Sequence, residues 1–209
     1  MPSVVQRVIT HGTFSLDGED FEVDNNIWLV GDDREVLIID AAHQHEPIIE
    51  AVAGRTVVAI VCTHGHNDHI NAAVPLAAAV GAPILLHPDD LMLWDVVNPD
   101  RAPDGMLADG QDLHVGTTRL RVLHTPGHSP GGCCLYDDQA GLLFSGDTLF
   151  KGGPGATGRS FSDQEIILKS ISQRLLSLPL DTVVHTGHGD DTTLGAEAQG
   201  IVVLLDGLG

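Results

Sequence analysis

The sequence has few cysteines and few basic residues, and each shortage argues against a class of protein. Three cysteines among 209 residues are too few for a disulfide framework, and a bond between the adjacent Cys133 and Cys134 would be strained. We therefore expect these two and Cys62 to be small buried side chains. Ten basic residues against 29 acidic ones give a formal net charge of −19, which repels a phosphate backbone and argues against a nucleic-acid partner.

Long apolar runs are also missing. No stretch approaches the roughly 20 apolar residues that cross a bilayer, and the N-terminal residues 1–7 lack the basic start and apolar run of a signal peptide. We therefore expect no membrane association and a cytoplasmic location. At 43% hydrophobic residues, the chain can bury the core of one domain covering residues 1–209.

Short strands and helices follow one another along two similar halves of the chain. Glycine and aspartate turns separate the β-type runs, and a polar segment near residues 98–112 marks the predicted boundary between the halves. This order predicts two sheets packed face to face with helices outside, an αββα sandwich of the α/β class. The predicted strands are Val4–Thr10, Phe14–Val23, Asn26–Val30, Glu35–Asp40, Thr56–Cys62, Pro83–Leu86, Arg119–His124, Gly132–Tyr136, Leu142–Ser145 and Thr182–His185. The predicted helices are Glu46–Ala53, Ile70–Val80, Pro88–Val97, Ser162–Leu178 and Leu194–Leu205.

Four clusters of histidine and aspartate each follow a predicted strand. The first, His64-Gly65-His66-Asn67-Asp68-His69, contains four candidate metal ligands within six residues, and we expect it to form a tight loop. Imidazole and carboxylate are the ligands that zinc and similar metals accept. The other clusters place His128 in TPGHSPG, Asp147 in SGDT and His188 in TGHG. Together, in this order, they predict a metal site.

The motifs THGHNDH, TPGHSPG, SGDTLF and TGHG resemble those of the metallo-β-lactamase superfamily, and within it the glyoxalase II (hydroxyacylthiol hydrolase) branch. The resemblance covers nearly the whole chain, from residue 36 to residue 189. It implies the metallo-β-lactamase fold and two divalent metal ions, zinc first, with iron or manganese as alternatives. The implied ligands are His64, His66 and His128 for one ion and Asp68, His69 and His188 for the other. Asp147 would bridge both ions, Asp40 would support the ligand loop from beneath, and Asp68 and Asp147 would be the catalytic carboxylates.

The activity that the resemblance implies is hydrolysis of a small-molecule acyl-thiol by attack of a metal-bound hydroxide. A thiolate leaves easily, since a thiol has a pKa of about 8.5, whereas the amine of a β-lactam must be protonated. His66 also favours hydrolysis, because diiron flavoproteins of this fold have glutamate there. Two alternatives stay open. One is a lactone hydrolase, and the other is a persulfide dioxygenase with a single iron on His64, His128 and Asp147.

The thiol carrier is predicted from the loop Phe150–Arg159. Lys151 and Arg159 lie in this glycine-rich loop and are candidates for binding the carrier, while His43 and His45 are candidates for lining the cleft. Full-length glyoxalase II enzymes continue into a helical domain that binds glutathione, whereas this chain ends about twenty residues past Gly189, as a short form. The segments 87–94 and 99–103 resemble those of actinobacterial relatives, which implies an acyl-mycothiol thioester. The oligomeric state stays open.

Overall fold

Two six-stranded sheets form the centre of the fold in residues 4–207, which the computed structural model describes. From edge to edge, the first sheet contains β1 (Val4–Leu16), β2 (Glu19–Gly31), β3 (Glu35–Ile39), β4 (Thr56–Val61), β5 (Ile84–Leu86) and β6 (Gly105–Met106). The second contains β14 (Thr192–Thr193), β13 (Val183–Thr186), β10 (Leu142–Gly146), β9 (Cys133–Asp137), β8 (Thr118–His124) and β7 (Asp112–Val115). A small ribbon pairs β11 (Leu149–Phe150) with β12 (Gly153–Pro154). The chain therefore passes from the first sheet to the second between residues 106 and 112.

Alternation along the strands creates three apolar layers. In β2, Ile27 and Leu29 belong to a core against the helices, whereas Trp28 and Val30 belong to the core between the sheets, because successive side chains of a strand point to opposite faces. A third core fills the outer face of the second sheet and includes Val184. Helix, sheet, sheet and helix thus stack in four layers, and the predicted αββα sandwich is confirmed.

Helices cover both outer faces. Within the described residues they are α1 (Glu46–Val52), α2 (Asn67–Ile70), α3 (Ala73–Val80), α4 (Leu91–Val97), α5 (Gln164–Ser170) and α6 (Leu194–Asp206). The first four contribute side chains to the core beneath the first sheet, and the last two pack on the second sheet. None of these helices is long and apolar enough to span a membrane.

The first strands differ from the prediction. The sequence predicted one strand over Phe14–Val23, but the chain reverses there, and β1 pairs with β2 along their whole length in a long antiparallel hairpin. Asp17 and Gly18 form the two-residue turn with φ values of 55° and 79°. An Asp-Gly pair suits such a turn because both residues need positive φ. The turn signal was present in the sequence, but the flanking apolar residues concealed it.

Two helical segments also differ. The predicted helix Ser162–Leu178 begins at Gln164, where Asp163 accepts a hydrogen bond from Ile166 N at 2.9 Å, and it continues after Ser170 as a π-helical turn over Ile171–Leu175. The predicted histidine loop is partly helical, since Asp68 and His69 lie on α2.

The cysteines follow the prediction. All three are free and buried, and burial raises the pKa of their thiols, that of Cys134 to about 11.

Candidate metal centre

Four strand ends supply the predicted metal ligands. The segment after β4 carries His64 and His66, and the segments after β8, β10 and β13 carry His128, Asp147 and His188. These side chains meet in three overlapping groups whose candidate ligand atoms lie within 4.8 Å of one another, namely His64, His66 and His128; His64, His69 and Asp147; and Asp68, His69 and His188. The structure thus brings together all seven residues that the sequence proposed as ligands.

The first group is assembled from two loops. His64 Nε2 lies 3.1 Å from His66 Nδ1. His64 Nδ1 lies 3.1 Å from the hydroxyl of Thr63, which itself donates to Asp40, so the imidazole is the donor to that hydroxyl. His128 Nδ1 donates to the carbonyl of Ala156 at 2.8 Å. In neutral imidazoles these bonds leave Nε2 of His64 and His128 with a lone pair facing the site.

The group of Asp68, His69 and His188, which we call the second group, repeats this arrangement. His69 Nδ1 donates to Asp40 Oδ2 at 2.9 Å, and His188 Nδ1 donates to the backbone carbonyl of Asp24 at 2.7 Å. Their Nε2 atoms consequently face each other at 3.2 Å, and His188 Nε2 lies 3.3 Å from Asp68 Oδ2. Two opposed lone pairs at this distance require a cation or a proton between them.

Asp147 lies between the two groups. Its carboxylate oxygens are 3.3 Å from His69 Nε2, 3.4 Å from His188 Nε2 and 3.6 Å from His128 Nε2. Several buried atoms of the centre nevertheless have no hydrogen-bond partner among the described residues, namely Nε2 of His66 and His128 and Oδ1 of Asp68 and Asp147. Buried polar atoms are seldom left unpaired. Nitrogen and carboxylate atoms without partners, turned towards one point, fit metal coordination.

The charges of the centre favour cations. Burial lowers the pKa of His64 and His66, that of His66 to about 3, so both imidazoles are neutral, as metal ligands must be. Burial opposes the charge of Asp147, but His188 and His69 outweigh it and hold its pKa well below the ordinary value. Burial also opposes the positive charge of His188, but Asp147 and Asp68 outweigh burial and raise the pKa of His188 to about 10. The buried carboxylates therefore demand positive charge, as protons or as metal ions.

Asp40 and Asn25 hold the second group in place. Asp40 accepts hydrogen bonds from Thr63 N at 2.7 Å, Thr63 Oγ1 at 2.9 Å and His69 Nδ1 at 2.9 Å. That it supports the ligand loop around bound metal stays a prediction. Asn25 was not predicted. Its amide donates to the backbone carbonyl and the carboxylate of Asp68 at 2.9 and 3.1 Å. Its carbonyl lies 2.8 Å from His43 Nε2, so His43 braces Asn25.

Asp90 is a second residue that sequence reasoning missed. It is fully buried and accepts hydrogen bonds from Gly65 N at 2.8 Å, Ser129 Oγ at 2.7 Å and Gly131 N at 2.6 Å. Gly65 separates His64 from His66, and Ser129 follows His128. One carboxylate thus fastens together the two loops that form the first group. No signal in the sequence indicated this role, because Asp90 lies in the first turn of the predicted helix Pro88–Val97, where an acidic residue is common.

A cavity of about 360 Å³ opens over the centre. Its walls are mostly apolar and come from β1, β2 and the loop after β10, while proposed ligands form its floor. It is lined by Phe14, Val23, Asp24, His66, Asp68, His128, Asp147, Phe150, Ala156 and His188. A smaller cavity shares Phe14, His66, His128 and Ala156 with it and extends to Arg159.

The two predicted carrier-binding cations occupy different positions. Arg159 lines the smaller cavity, where it pairs with Glu19 at 2.8 Å and lies 4.8 Å from the ring centre of Phe21. Lys151 lines neither cavity in the described part of the chain and pairs with Asp190 at 3.0 Å. Contact of either residue with a substrate stays a prediction. His43 and His45, the other candidates for the cleft, also lie outside both sets of lining residues.

Comparison with known proteins agrees with this geometry. Residues 21–188 match the family model of the metallo-beta-lactamase superfamily. The chain is 32% identical over 189 residues to hydroxyacylglutathione hydrolase GloC of Haemophilus influenzae, a match that covers 83% of this chain and 88% of that protein.

Two solved structures extend the comparison. TTHA1623, determined in a di-iron-bound form, is 36% identical with a TM-score of 0.77, covering 85% of this chain and 93% of that one. ETHE1 from Myxococcus xanthus is 24% identical with a TM-score of 0.75, covering 94% of this chain and 85% of that one. At that identity the likeness to ETHE1 shows the fold alone.

Proposed function

Since this chain belongs to the metallo-beta-lactamase superfamily, as its motifs indicated, we propose that it is a binuclear metallohydrolase that cleaves thioesters. The observation that carries the proposal is the pair of histidine and aspartate groups with Asp147 between them. The similarity to a hydroxyacylglutathione hydrolase supports an acyl-thiol as the substrate.

The residues present fit two divalent ions. The first would be held by His64, His66 and His128, the second by Asp68, His69 and His188, with Asp147 reaching both. Nitrogen and carboxylate donors suit zinc, which we propose first, and they also accept iron or manganese. The di-iron-bound form of TTHA1623 makes iron the main alternative.

Such ions would supply Lewis acidity and lower the pKa of water from about 15.7 towards about 7. The protein prepares the site for them. The Nδ1–H bonds of His69, His128 and His188 fix the ring orientations, and Asp68 and Asp147 stay ionised and compensate the cations.

The walls of the cavity suit an acyl-thiol. Phe14 and Phe150 line the cavity, with ring centres 5.3 Å from that of His66 and 6.1 Å from that of His188, respectively. A thiolate leaves without a strong general acid because the pKa of a thiol is about 8.5. The glyoxalase II-like activity, and the cytoplasmic location that suits it, are parts of the same proposal.

A persulfide dioxygenase, which the sequence motifs left open, stays the second candidate. That alternative needs one iron on His64, His128 and Asp147. Here Asp68, His69 and His188 form a further complete group, which favours two ions. A lactone hydrolase would use the same centre, since an ester differs little from a thioester there.

Metal analysis combined with a substrate panel tests the proposal. The purified protein is analysed by inductively coupled plasma mass spectrometry and then assayed on thioesters, lactones and a persulfide with an oxygen electrode. We expect close to two ions per chain and preferential thioester turnover. A single iron with oxygen uptake on the persulfide would overturn the hydrolase assignment, and a preference for lactones would overturn the substrate assignment.

A further inference from the structure

Four polar atoms at the second group form a nearly regular tetrahedron. Three are proposed ligand atoms at 3.2, 3.3 and 3.6 Å from one another, namely Nε2 of His69, Nε2 of His188 and Oδ2 of Asp68. The fourth is Asn25 Nδ2, which lies 3.1 Å from the carboxylate and 3.3 and 3.5 Å from the two imidazoles. Neighbouring ligand atoms of a four-coordinate zinc ion lie about 3.3 Å apart, because bonds about 2.0–2.1 Å long point to the corners of a tetrahedron. Asn25 thus occupies a corner at which a further ligand would lie.

The atom at this corner is a donor and not a ligand. Asn25 Nδ2 donates to the backbone carbonyl and the carboxylate of Asp68, so the amide nitrogen faces the second group and the carbonyl oxygen faces away. An amide nitrogen offers no lone pair to a cation, whereas the side-chain carbonyl of asparagine is a common metal ligand. Half a turn of the side chain would exchange the two atoms. The orientation of one amide therefore decides whether this corner is open to a metal ion.

A chain of hydrogen bonds holds Asn25 in this orientation. The backbone N–H of His43 donates to Asn71 Oδ1 at 2.6 Å, so Asn71 Nδ2 is the atom that faces His43 Nδ1, and it donates to that nitrogen at 3.3 Å. Since Nδ1 accepts, the proton of the neutral imidazole is on Nε2, which donates to Asn25 Oδ1 at 2.8 Å. If Asn25 turned over, two donors would face each other and this hydrogen bond would be lost.

The imidazole of His43 has little room to change its orientation. Its ring lies against Gly12 of β1, where a Cβ atom would be 2.2 Å from His43 Nδ1. The backbone of His43 has a φ of 60°, a conformation that residues other than glycine seldom adopt. Backbone, packing and hydrogen bonding thus agree on one order of donors, from Asn71 through His43 to Asn25.

We propose that the chain of Asn71, His43 and Asn25 sets the metal selectivity of the second group by closing this corner to an oxygen ligand. The inference rests on the binuclear centre of the proposed function. With the corner closed, the second ion keeps its proposed protein ligands, namely Asp68, His69, His188 and Asp147. A small set of nitrogen and carboxylate ligands suits zinc. Manganese takes octahedral sites rich in oxygen, so an oxygen at the corner would favour manganese relative to zinc.

An isosteric substitution places an oxygen at the corner. In Asn25→Asp, a carboxylate oxygen replaces the nitrogen that lies 3.1, 3.3 and 3.5 Å from the three ligand atoms. Zn²⁺ and Mn²⁺ are titrated separately into the full chain against a chelator of known affinity. We expect the ratio of Mn²⁺ to Zn²⁺ affinity at the second group to rise at least about tenfold. The added charge cancels in this ratio because both ions are divalent, and a purely structural role of Asn25 would weaken both metals alike.

Substitution of His43 tests the chain at a residue that contacts no proposed ligand in the hydrogen bonds of the described residues. Asparagine tolerates the positive φ of this position, but its side chain is shorter and lacks the Nε2–H donor. His43→Asn should release Asn25 to turn over and raise the same ratio about threefold to tenfold. His45→Asn is the matched control, because His45 pairs with Glu46 and lies outside the chain. It should leave the ratio unchanged, and the first group should keep its own ratio in all three variants.

The outcomes separate this inference from the proposed function. An unchanged ratio in Asn25→Asp, or a change in His43→Asn that His45→Asn reproduces, would overturn the selectivity role while leaving two bound ions. A higher ratio in Asn25→Asp with no change in His43→Asn would overturn the role of the chain. Binding of a single ion by the wild-type protein would overturn the binuclear centre itself, and the inference with it.

Discussion

At the scale of single residues, Asp147 is the carboxylate that faces histidines of both groups. We expect Asp147→Ala to lose most of both metals and more than about a hundredfold in activity, beyond what the loss of a supporting residue usually costs. Mass spectrometry of the metals and thioester turnover measure both effects. Asp137 is the control, since it is also buried but binds the turn amides of Gln139 and Ala140, and Asp137→Ala should keep both ions. Two retained metals with near-normal turnover in Asp147→Ala would show that another residue joins the ions.

The second prediction at the residue scale concerns Asp90, whose substitution should affect the first metal group alone. In Asp90→Ala, the buried donors of Gly65, Ser129 and Gly131 lose their acceptor, so we expect a loss of about 2–4 kcal/mol in the free energy of unfolding. Because the loops of His64 and His128 are then no longer fastened, affinity for one of the two ions should fall about 10- to 100-fold. Asp90→Asn retains one acceptor oxygen and should restore part of both.

Competition with a chelator measures the two metal affinities separately. A purely structural role for Asp90 predicts a lower melting temperature with both affinities unchanged, and that result would exclude the positioning role. The second group serves as an internal reference, because its bonds run through Asp40 and Asn25.

At the scale of elements, the turn after β13 contains two glycines with different constraints. A Cβ on Gly187 would lie 2.3 Å from Asp147 Oδ1 and 2.9 Å from His69 Cε1, whereas one on Gly189 would meet no heavy atom of the described residues within 4 Å, apart from its chain neighbours. Gly189 instead has a φ of 70°. We expect Gly187→Ala to displace the centre, with at least about tenfold losses in metal affinity and activity.

Gly189→Ala is the comparison for that substitution. It should cost about 1–2 kcal/mol in the free energy of unfolding, because alanine adopts positive φ poorly, and it should leave both ions bound. Metal content and chemical denaturation of the two variants give the comparison. Equal metal loss in both would mean that the whole turn matters and not the space beside Asp147.

At the scale of the whole molecule, the sequence predicted those parts of the centre whose position depends on neighbouring residues along the chain. Each ligand cluster directly follows a strand, so its position could be predicted from the apolar run before it. The support from Asp90 and Asn25 could not be predicted, because Asp90 is 25 and 39 residues from its partners Gly65 and Ser129. Such contacts exist only after the strands have packed. The hairpin was missed for a different reason, since Phe14 and Phe21 flank the turn and extend the apolar pattern across it.

The last prediction concerns the stability of the whole fold with and without metal. In the metal-free protein the buried carboxylates hold a proton on the adjoining pair His69 and His188, whose pKa values are raised, that of His188 from 6.5 to about 10. A folded-state pKa above the unfolded value adds stability that is fully present below pH 6.5 and is lost as pH rises towards about 10. His64 and His66 are neutral in the folded state, since burial lowers their pKa values. In the unfolded chain they are half protonated at pH 6.5, which offsets part of the loss near that pH, and this contribution is the same in the metal-loaded protein.

Because His69 and His188 adjoin each other, we count one extra proton for the pair. The free energy of unfolding then falls by up to about 1.4 kcal/mol per pH unit. Between pH 6.5 and about 8.5, chelator-treated protein should therefore lose about 4–10 °C in melting temperature. Metal-loaded protein should change much less, because the ions occupy the place of the proton and bind only the folded state. Differential scanning fluorimetry of both forms across the window measures the difference, and the loaded form corrects for the pH dependence of the remaining chain. Parallel curves for the two forms would mean that the histidines of the centre carry no extra proton and that its carboxylates are balanced by other groups.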